Sequence, residues 1–511
     1  MDSNTDIHGG NNQLLPNATH AEQHIHYHAA DIGGAVTHCT KDGLCPYTLV
    51  ILGAGADAAA GLPASSQLIP GIVDWLETDE GKAVDDALRK QLKRLTFRFD
   101  KFVDDAIDRL AKDLDRERDT ICRNVRDELE RNPHLDDSHR KMGSLIVRIF
   151  QKITDVKQGA AIDEETEQLI REVTGMEPTD HTIIDFTKLN YTETFKTIIT
   201  HILRSSLHDS ANPILRHVYK NLLDIEQLMA QYFYGFFTGK QGQIKTYLYI
   251  AWTLWAYLIY REQGLREQSL ELREESAEIS VNSAPSDSLS KLSTLSSKLY
   301  RQLLGKDDIQ VVTFNYTTLA AQASPTALYF NGNLTDYVDI ENKNDLHIDD
   351  IHTLDLTTFF RERLPQELSL EGDRIAIPVP SFMPPLKLKP VISERYITVW
   401  YRTAEAIRQA EHILILGHSI HAAESFFCDM VRSNRHAEIT LIDRDLDTVC
   451  RNLCNTLQLS VNRYTTLTIQ GHPTRKYDNR ITVVQDDLSD IDLIPWLENQ
   501  VQGCMNANIR E

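Results

Sequence analysis

Gly53-Ala54-Gly55-Ala56-Asp57 follows the apolar run that begins at Tyr47 and precedes Gly61-Leu62-Pro63. Glycines at a strand-to-helix turn let the backbone close tightly and approach a pyrophosphate, and the first N–H groups of the following helix can meet an anion. A single G-x-G turn also serves simply to pack strand against helix, so it does not decide the matter. Three later segments point the same way. Val312-Thr313-Phe314-Asn315-Tyr316-Thr317 ends an apolar strand, Leu416-Gly417-His418-Ser419-Ile420 ends a second, and Leu441-Ile442-Asp443 a third. Open α/β sheets bind ligands at the carboxyl ends of their strands, so Asn315, Gly417, His418, Ser419 and Asp443 are expected to share one crevice with the glycine turn.

The elements that must position these residues follow from periodicity. Residues 1–45 are polar and rich in Asn and His, and read as a flexible arm. Between 67 and 304 nearly everything reads as helix: Phe99, Phe102, Val103, Ala106, Ile107, Leu110 and Leu114 recur at three- and four-residue steps, drawing one apolar stripe. Within that span, 262–285 is charged and then serine-rich and reads as a mobile loop, whereas Leu289, Leu292, Leu299 and Leu303 mark a helix face capped by Ser286 or Asp287. Strands return at 309–314, 326–330, 374–379, 412–417 and 438–443, with weaker ones at 467–469 and 481–484. Helices fit between several, notably at 394–410 and 422–433. Continuous apolar strands alternating with helices argue for a parallel sheet covered on both faces. The expected fold class is α/β: a doubly wound, mostly parallel Rossmann-like sheet, residues 46–66 and 305–500, carrying an all-helical insertion at 67–304.

Composition narrows the partners. The 511 residues carry 53 Lys and Arg against 74 Asp and Glu, a formal charge of −21, which repels a phosphate polymer, so no direct nucleic acid partner is expected. Seven cysteines at irregular spacings suit reduced thiols in a cytoplasmic protein, and with no paired C-x-x-C no metal site is expected. The opening residues lack the basic start and apolar stretch of a secretory signal. Thr246 to Tyr260 is uncharged and apolar but falls short of the roughly 20 residues a membrane span needs, which favours a core helix or a self-association surface around Trp252 and Trp255.

GAGAD with GLP, TFNYT, YFNGN, GHSI and LID, in that order, make the chain resemble the sirtuin-like superfamily, and more its bacterial antiphage-defence branch than the zinc-bearing deacylases. The similarity covers about residues 47–66 and 309–445. It implies a Rossmann-type domain that holds NAD and cleaves it to nicotinamide and ADP-ribose, depleting NAD in defence, as a homo-oligomer or with a partner of the same defence system. By the same resemblance Gly53, Ala54, Gly55, Asp57, Pro63 and Thr313 would line the cofactor. Gly417, His418 and Ser419 would take the adenosine-side phosphates and ribose, Asp443 a ribose hydroxyl, and Asn315 the nicotinamide ribose.

Two departures bear on turnover. Asn331, in Phe330-Asn331-Gly332, stands where relatives have histidine, and Thr317 where they have aspartate. An amide cannot act as a general base near neutral pH. His418 is the candidate replacement, with His347, His352 and His421 as others. Asp57 would crowd a phosphate unless it caps the helix N-terminus. The expected function is therefore an NAD hydrolase with Asn315, Asn331 and His418 at its centre, the alternative being a degenerate module that binds NAD or ADP-ribose as a sensor or scaffold.

Overall fold

The computed structural model describes residues 48–131, 135–157, 223–279, 297–306, 309–370, 375–384, 389, 392–422, 424–477 and 480–497, with isolated positions 164, 168 and 172. All belong to the unit Pro46–Glu511. The arm 1–45, the cap residues Ser286 and Asp287, and residues 280–285 lie outside them.

In chain order β1 (Thr48–Leu52) runs into the short α1 (Ala54–Ala59), followed by α2 (Ser65–Trp75), α3 (Asp79–Gln91), α4 (Phe99–Arg131), α5 (Asp137–Lys157), α6 (Ile225–Phe233), α7 (Gln241–Ile279) and α8 (Lys298–Leu303). Next come β2 (Ile309–Thr313), α9 (Leu319–Ala323), β3 (Leu328–Tyr329), β4 (Asp336–Asp339), β5 (Asn344–His347) and β6 (Pro378–Pro380). The last part holds α10 (Glu394–Gln409), β7 (His412–Leu416), α11 (Ser425–Ser433), β8 (Glu438–Asp443), α12 (Leu446–Leu457), β9 (Thr465–Ile469), β10 (His472–Tyr477) and β11 (Ile481–Gln485).

Eight strands form the main sheet in the order β3-β2-β1-β7-β8-β11-β10-β9. All pairs are parallel except those of β10, which runs antiparallel to β9 and β11. After the long helical excursion that follows β1, the chain builds outward on one side of β1 through β2 and β3, and then on the other side through β7. The order therefore reverses between β1 and β7, the topological switch point of a doubly wound sheet. Register brings the strand ends level: Leu52 lies opposite Thr313 on one side and Leu416 on the other, Leu416 opposite Ile442, and Thr313 opposite Tyr329. One residue further along, Gly53, Phe314, Gly417, Asp443 and Phe330 form a row.

β1 and β7 are buried along their whole length, as continuous apolar runs in a sheet covered on both faces must be. The helices begin where short polar side chains can take a free N–H: Thr78 Oγ1 accepts from Gly81 N at 3.1 Å, Ser393 Oγ from Arg395 N at 3.1 Å and Asp445 Oδ1 from Thr448 N at 3.1 Å.

The helical excursion is held to the sheet domain by α7. Its stretch Thr246 to Ile259 is apolar all round and buried, the expected state of a helix without a polar face. Trp252 Nε1 donates to Pro378 O at 3.1 Å and Trp255 Nε1 to Leu334 O at 2.8 Å. Both indoles are fully buried, which excludes them as a self-association surface in this chain. Among the described residues no helix is long and apolar enough to cross a membrane.

Three expectations change. Residues 262–279 continue α7 rather than forming a loop, because Leu265 still packs against the apolar core that includes Val50, Leu62 and Tyr300, and Gln263 still reaches Ile351 O and Leu354 O at 2.7 and 3.0 Å. The strand expected at 374–379 is the short β6, which pairs antiparallel with β4 in a separate three-stranded sheet with β5. The strand expected at 326–330 shortens to two residues.

Trp255→Ala removes a fully buried indole and leaves Leu334 O without its donor. It is expected to cost about 3–5 kcal/mol, read as a lowered urea midpoint of the full chain; a loss under about 1 kcal/mol would show that α7 does not anchor the insertion.

Candidate functional site

The row of strand ends is closed by backbone contacts that tolerate only glycine. Gly53 N donates to Leu416 O, Gly55 N to Gly417 O and Gly417 N to Ile442 O, each at 2.9 Å. A Cβ on Gly53 would stand 2.5 Å from Gly417 O, and one on Gly417, whose φ is +61°, 2.6 Å from Ala56 N. The N–H of Gly55, read from sequence as a phosphate donor, is thus committed to the neighbouring turn. Ala54 and Ser419 are exposed and Gly55 and Asp443 half-buried, so these four form the open rim. Beneath them Phe314 stacks on Phe330 at 4.7 Å and packs against Phe427 at 4.7 Å and the His418 ring at 4.3 Å, an aromatic floor.

Asp57 neither caps the helix nor faces a phosphate. Its carboxylate is buried and accepts from Asn315 Nδ2 at 2.7 Å, Thr317 Oγ1 at 2.5 Å and the Tyr300 hydroxyl. Burial, which outweighs these three hydrogen bonds, pushes its pKa from 3.8 up to about 6. Asn315 also donates to Gly53 O at 2.9 Å, and its own N–H is held by Thr313 Oγ1 at 3.1 Å. Both amide hydrogens are therefore spent on α1 and its turn, and the group that remains is the carbonyl oxygen Oδ1, an acceptor for a water or a ribose hydroxyl. Thr313 positions this loop from a fully buried place rather than presenting its hydroxyl.

The next threonine is fastened to the insertion. Thr318 N lies 3.1 Å from Oε2 of the buried Glu262 on α7, and its hydroxyl also donates to that carboxylate. Burial raises Glu262 to about 7. His352 Nε2 lies 3.2 Å from Thr318 Oγ1. Adjacent threonines thus grip two carboxylates on different helices, and the Asn315 loop is set from both sides.

Asn331 is level with Asn315 and equally committed. Its Oδ1 accepts from Lys389 Nζ at 2.8 Å and its Nδ2 donates to Glu424 Oε1 at 3.2 Å, while Lys389 and Glu424 pair at 2.8 Å with both side chains buried. Burial lowers the Lys389 pKa, opposed by Glu424. Gly332 follows with φ +93°, where a Cβ would meet Ser381 O at 1.6 Å.

His418 is not placed as a base. Its Nδ1 accepts from Ile420 N at 3.1 Å, and burial, helped by the Lys389 charge, drives its pKa down to about 3, so the ring is neutral with its proton on Nε2. The alternatives fare no better: His347 pairs with Asp336 at 2.6 Å on the small sheet, His421 is exposed, and His352 serves the Glu262 cluster. Asp443 Oδ1 accepts from Asp445 N at 2.8 Å, turning the chain into α12. Pro63 lies apart from the rim, in a cleft at the far end of α1. Tyr300, Glu262, Lys389 and Glu424 had no local signal in the sequence; each meets the strand ends only through tertiary contact.

No family model matches this chain, and no curated protein is significantly similar to it.

Folded Asp57 holds its proton to about pH 6 and the unfolded residue only to 3.8. Between these values the native state binds a proton the unfolded state has lost, so this group's contribution is fully present below about pH 4 and is lost as pH rises to about 6. Relative to Asp57→Asn, the stability of the wild type is expected to fall by about 3 kcal/mol over that window in urea titrations. A difference independent of pH would mean that Asp57 titrates like an exposed carboxyl.

Proposed function

We propose that the rim formed by Ala54, Gly55, Ser419 and Asp443 receives NAD or a close relative, and that the chain hydrolyses its nicotinamide–ribose bond, releasing nicotinamide and ADP-ribose. The observation that carries this reading is the tether of Asn315 to Gly53 O and Asp57 at 2.9 and 2.7 Å, which joins the loop after β2 to the glycine turn at the switch point. Cleaving that bond generates an oxocarbenium-like centre and demands little beyond a held ribose, restricted solvent and one placed water. With both amide hydrogens spent, Asn315 offers Oδ1 to orient the ribose hydroxyl or the water. Its hydrogen bond to a carboxylate enriches that oxygen in charge and makes it a better acceptor. The resemblance adds a setting of NAD depletion in antiphage defence, with self-assembly or a partner of that system controlling activity.

A second reading, binding of NAD or ADP-ribose without turnover, is favoured by the saturation of Asn331 by Lys389 and Glu424 and by the neutral, packed His418. Neither side chain is a base at neutral pH.

The full chain incubated with NAD, alone and with lysate of infected cells, is expected to release nicotinamide, and Asn315→Ala to reduce the rate at least 100-fold, roughly the weight of a lost positioning or proton-handling group. ADP-ribose binding by calorimetry with no nicotinamide under either condition assigns the second reading. Absence of both binding and product overturns the proposal.

A further inference from the structure

At the end of α1 away from the glycine turn, Gly61-Leu62-Pro63 forms one lip of an open cleft of about 450 Å³, completed by α2 and α7. That volume lies in the range of small-molecule sites. Three features of its wall are chemically specific. Arg261 of α7 is only partly exposed, and its guanidinium makes long contacts alone, 3.3 Å to Tyr257 Oη and 3.4 Å to Gly61 O. Among the described residues no carboxylate pairs with it, a notable state in a chain of net charge −21. Tyr260 keeps 36% of its surface exposed, and its ring lies 5.9 Å from that of Trp75, which in turn lies 6.1 Å from Tyr257. Trp75 is buried and its Nε1 has no acceptor, whereas buried indole N–H groups usually find one.

The cleft is also built rather than left over. The Tyr257 hydroxyl occupies the space of a Cβ on Gly71 of α2, which would stand 2.0 Å from it, so α2 carries a glycine where the tyrosine must seat.

From this wall we infer a binding site for a nucleoside monophosphate. The phosphate meets Arg261, whose planar fork suits phosphate oxygens. The base lies on the exposed face of Tyr260, where stacking tolerates any flat heterocycle. Asp74, which lines the same cleft, is the acceptor a ribose diol requires. Its negative charge also disfavours a second or third phosphate, which selects a monophosphate over a polyphosphate. The site involves none of the rim residues and stands whether or not the strand ends hold a dinucleotide.

The test uses the full chain and tryptophan fluorescence, with 5′-AMP, adenosine and inorganic phosphate as probes. AMP is expected to change the emission saturably, with adenosine and phosphate each at least about tenfold weaker, because each keeps only half of the contacts. Arg261→Ala is expected to weaken AMP at least about tenfold, and Tyr260→Ala several-fold; both positions are partly exposed and tolerate truncation. Trp75→Phe removes most of the signal while calorimetry still detects AMP, which places the ligand here and not near Trp252, Trp255, Trp400 or Trp496. No response to millimolar AMP, AMP affinity unchanged in Arg261→Ala, or phosphate binding as tightly as AMP would each overturn the assignment.

Discussion

Asp57 is a carboxylate buried without a cation, and the strand-end region is arranged around it. Taking a carboxylate from water is costly, and the chain offsets this with three donors from two segments: Tyr300 before β2, and Asn315 and Thr317 on the loop after it. None of these donors is charged, which is why burial still prevails and the proton affinity rises. The physical consequence is directional. A carboxylate that must collect donors to exist there fixes the loop carrying Asn315 against α1, and so fixes which way the Asn315 amide is turned. Glu262 repeats the device one residue along, from the insertion side, through Thr318. The helical excursion is therefore mechanically continuous with the loop at the sheet edge, although more than fifty residues separate Glu262 from Thr318.

The same edge depends on a second constraint, the contact between two turns. The backbone groups of Gly53, Gly55 and Gly417 approach within hydrogen-bonding distance across the point where strand order reverses. No side chain fits between them. This closeness carries a chemical cost, since the Gly55 N–H, which in an open turn would face a ligand, faces a carbonyl. What is left toward solvent is the outermost backbone at Ala54, the Ser419 side chain and part of Asp443. A ligand at this edge would lie over the turns rather than sink between them.

Much of this was legible in the sequence, for identifiable reasons. β1, β2, β7, β8 and β11 are apolar runs closed by glycine or polar residues, and a parallel sheet buried on both faces demands that pattern. Their level ends follow from register alone, so the convergence of Gly53, Gly417 and Asp443 could be anticipated. β4 and β5 could not: Asp336-Tyr337-Val338-Asp339 and Asn344-Asp345-Leu346-His347 are too polar to read as strands, and they pair with each other while β6 covers the other edge of β4. The loop expected from Glu262 onward misread a helix, because the first charge of the run, Glu262, is buried against Thr318 rather than facing solvent. Tertiary partners were the larger omission. Nothing near Asn331 announces Lys389 or Glu424, and nothing near Asp57 announces Tyr300, because hydrogen bonds across 58 to 243 residues leave no periodic trace.

The Asn331 triangle shows what such partners do to chemistry. Burial penalises the charge on a lone lysine or glutamate; at 2.8 Å each offsets the other's burial, and each still needs a further hydrogen bond that water cannot supply. Asn331 supplies both, accepting from one and donating to the other, which is a task an amide performs and a neutral imidazole performs only in one tautomer. The residue at this position is thus selected by the ion pair beneath it as much as by any ligand above. A histidine here would satisfy both only in the tautomer that turns its N–H to Glu424 and its lone pair to Lys389, which spends both ring nitrogens, so a free base cannot be introduced there without also redesigning Lys389 and Glu424. Proton transfer at this edge, under the proposed reading, therefore has to run through water ordered by Asn315 rather than through a titrating side chain at position 331.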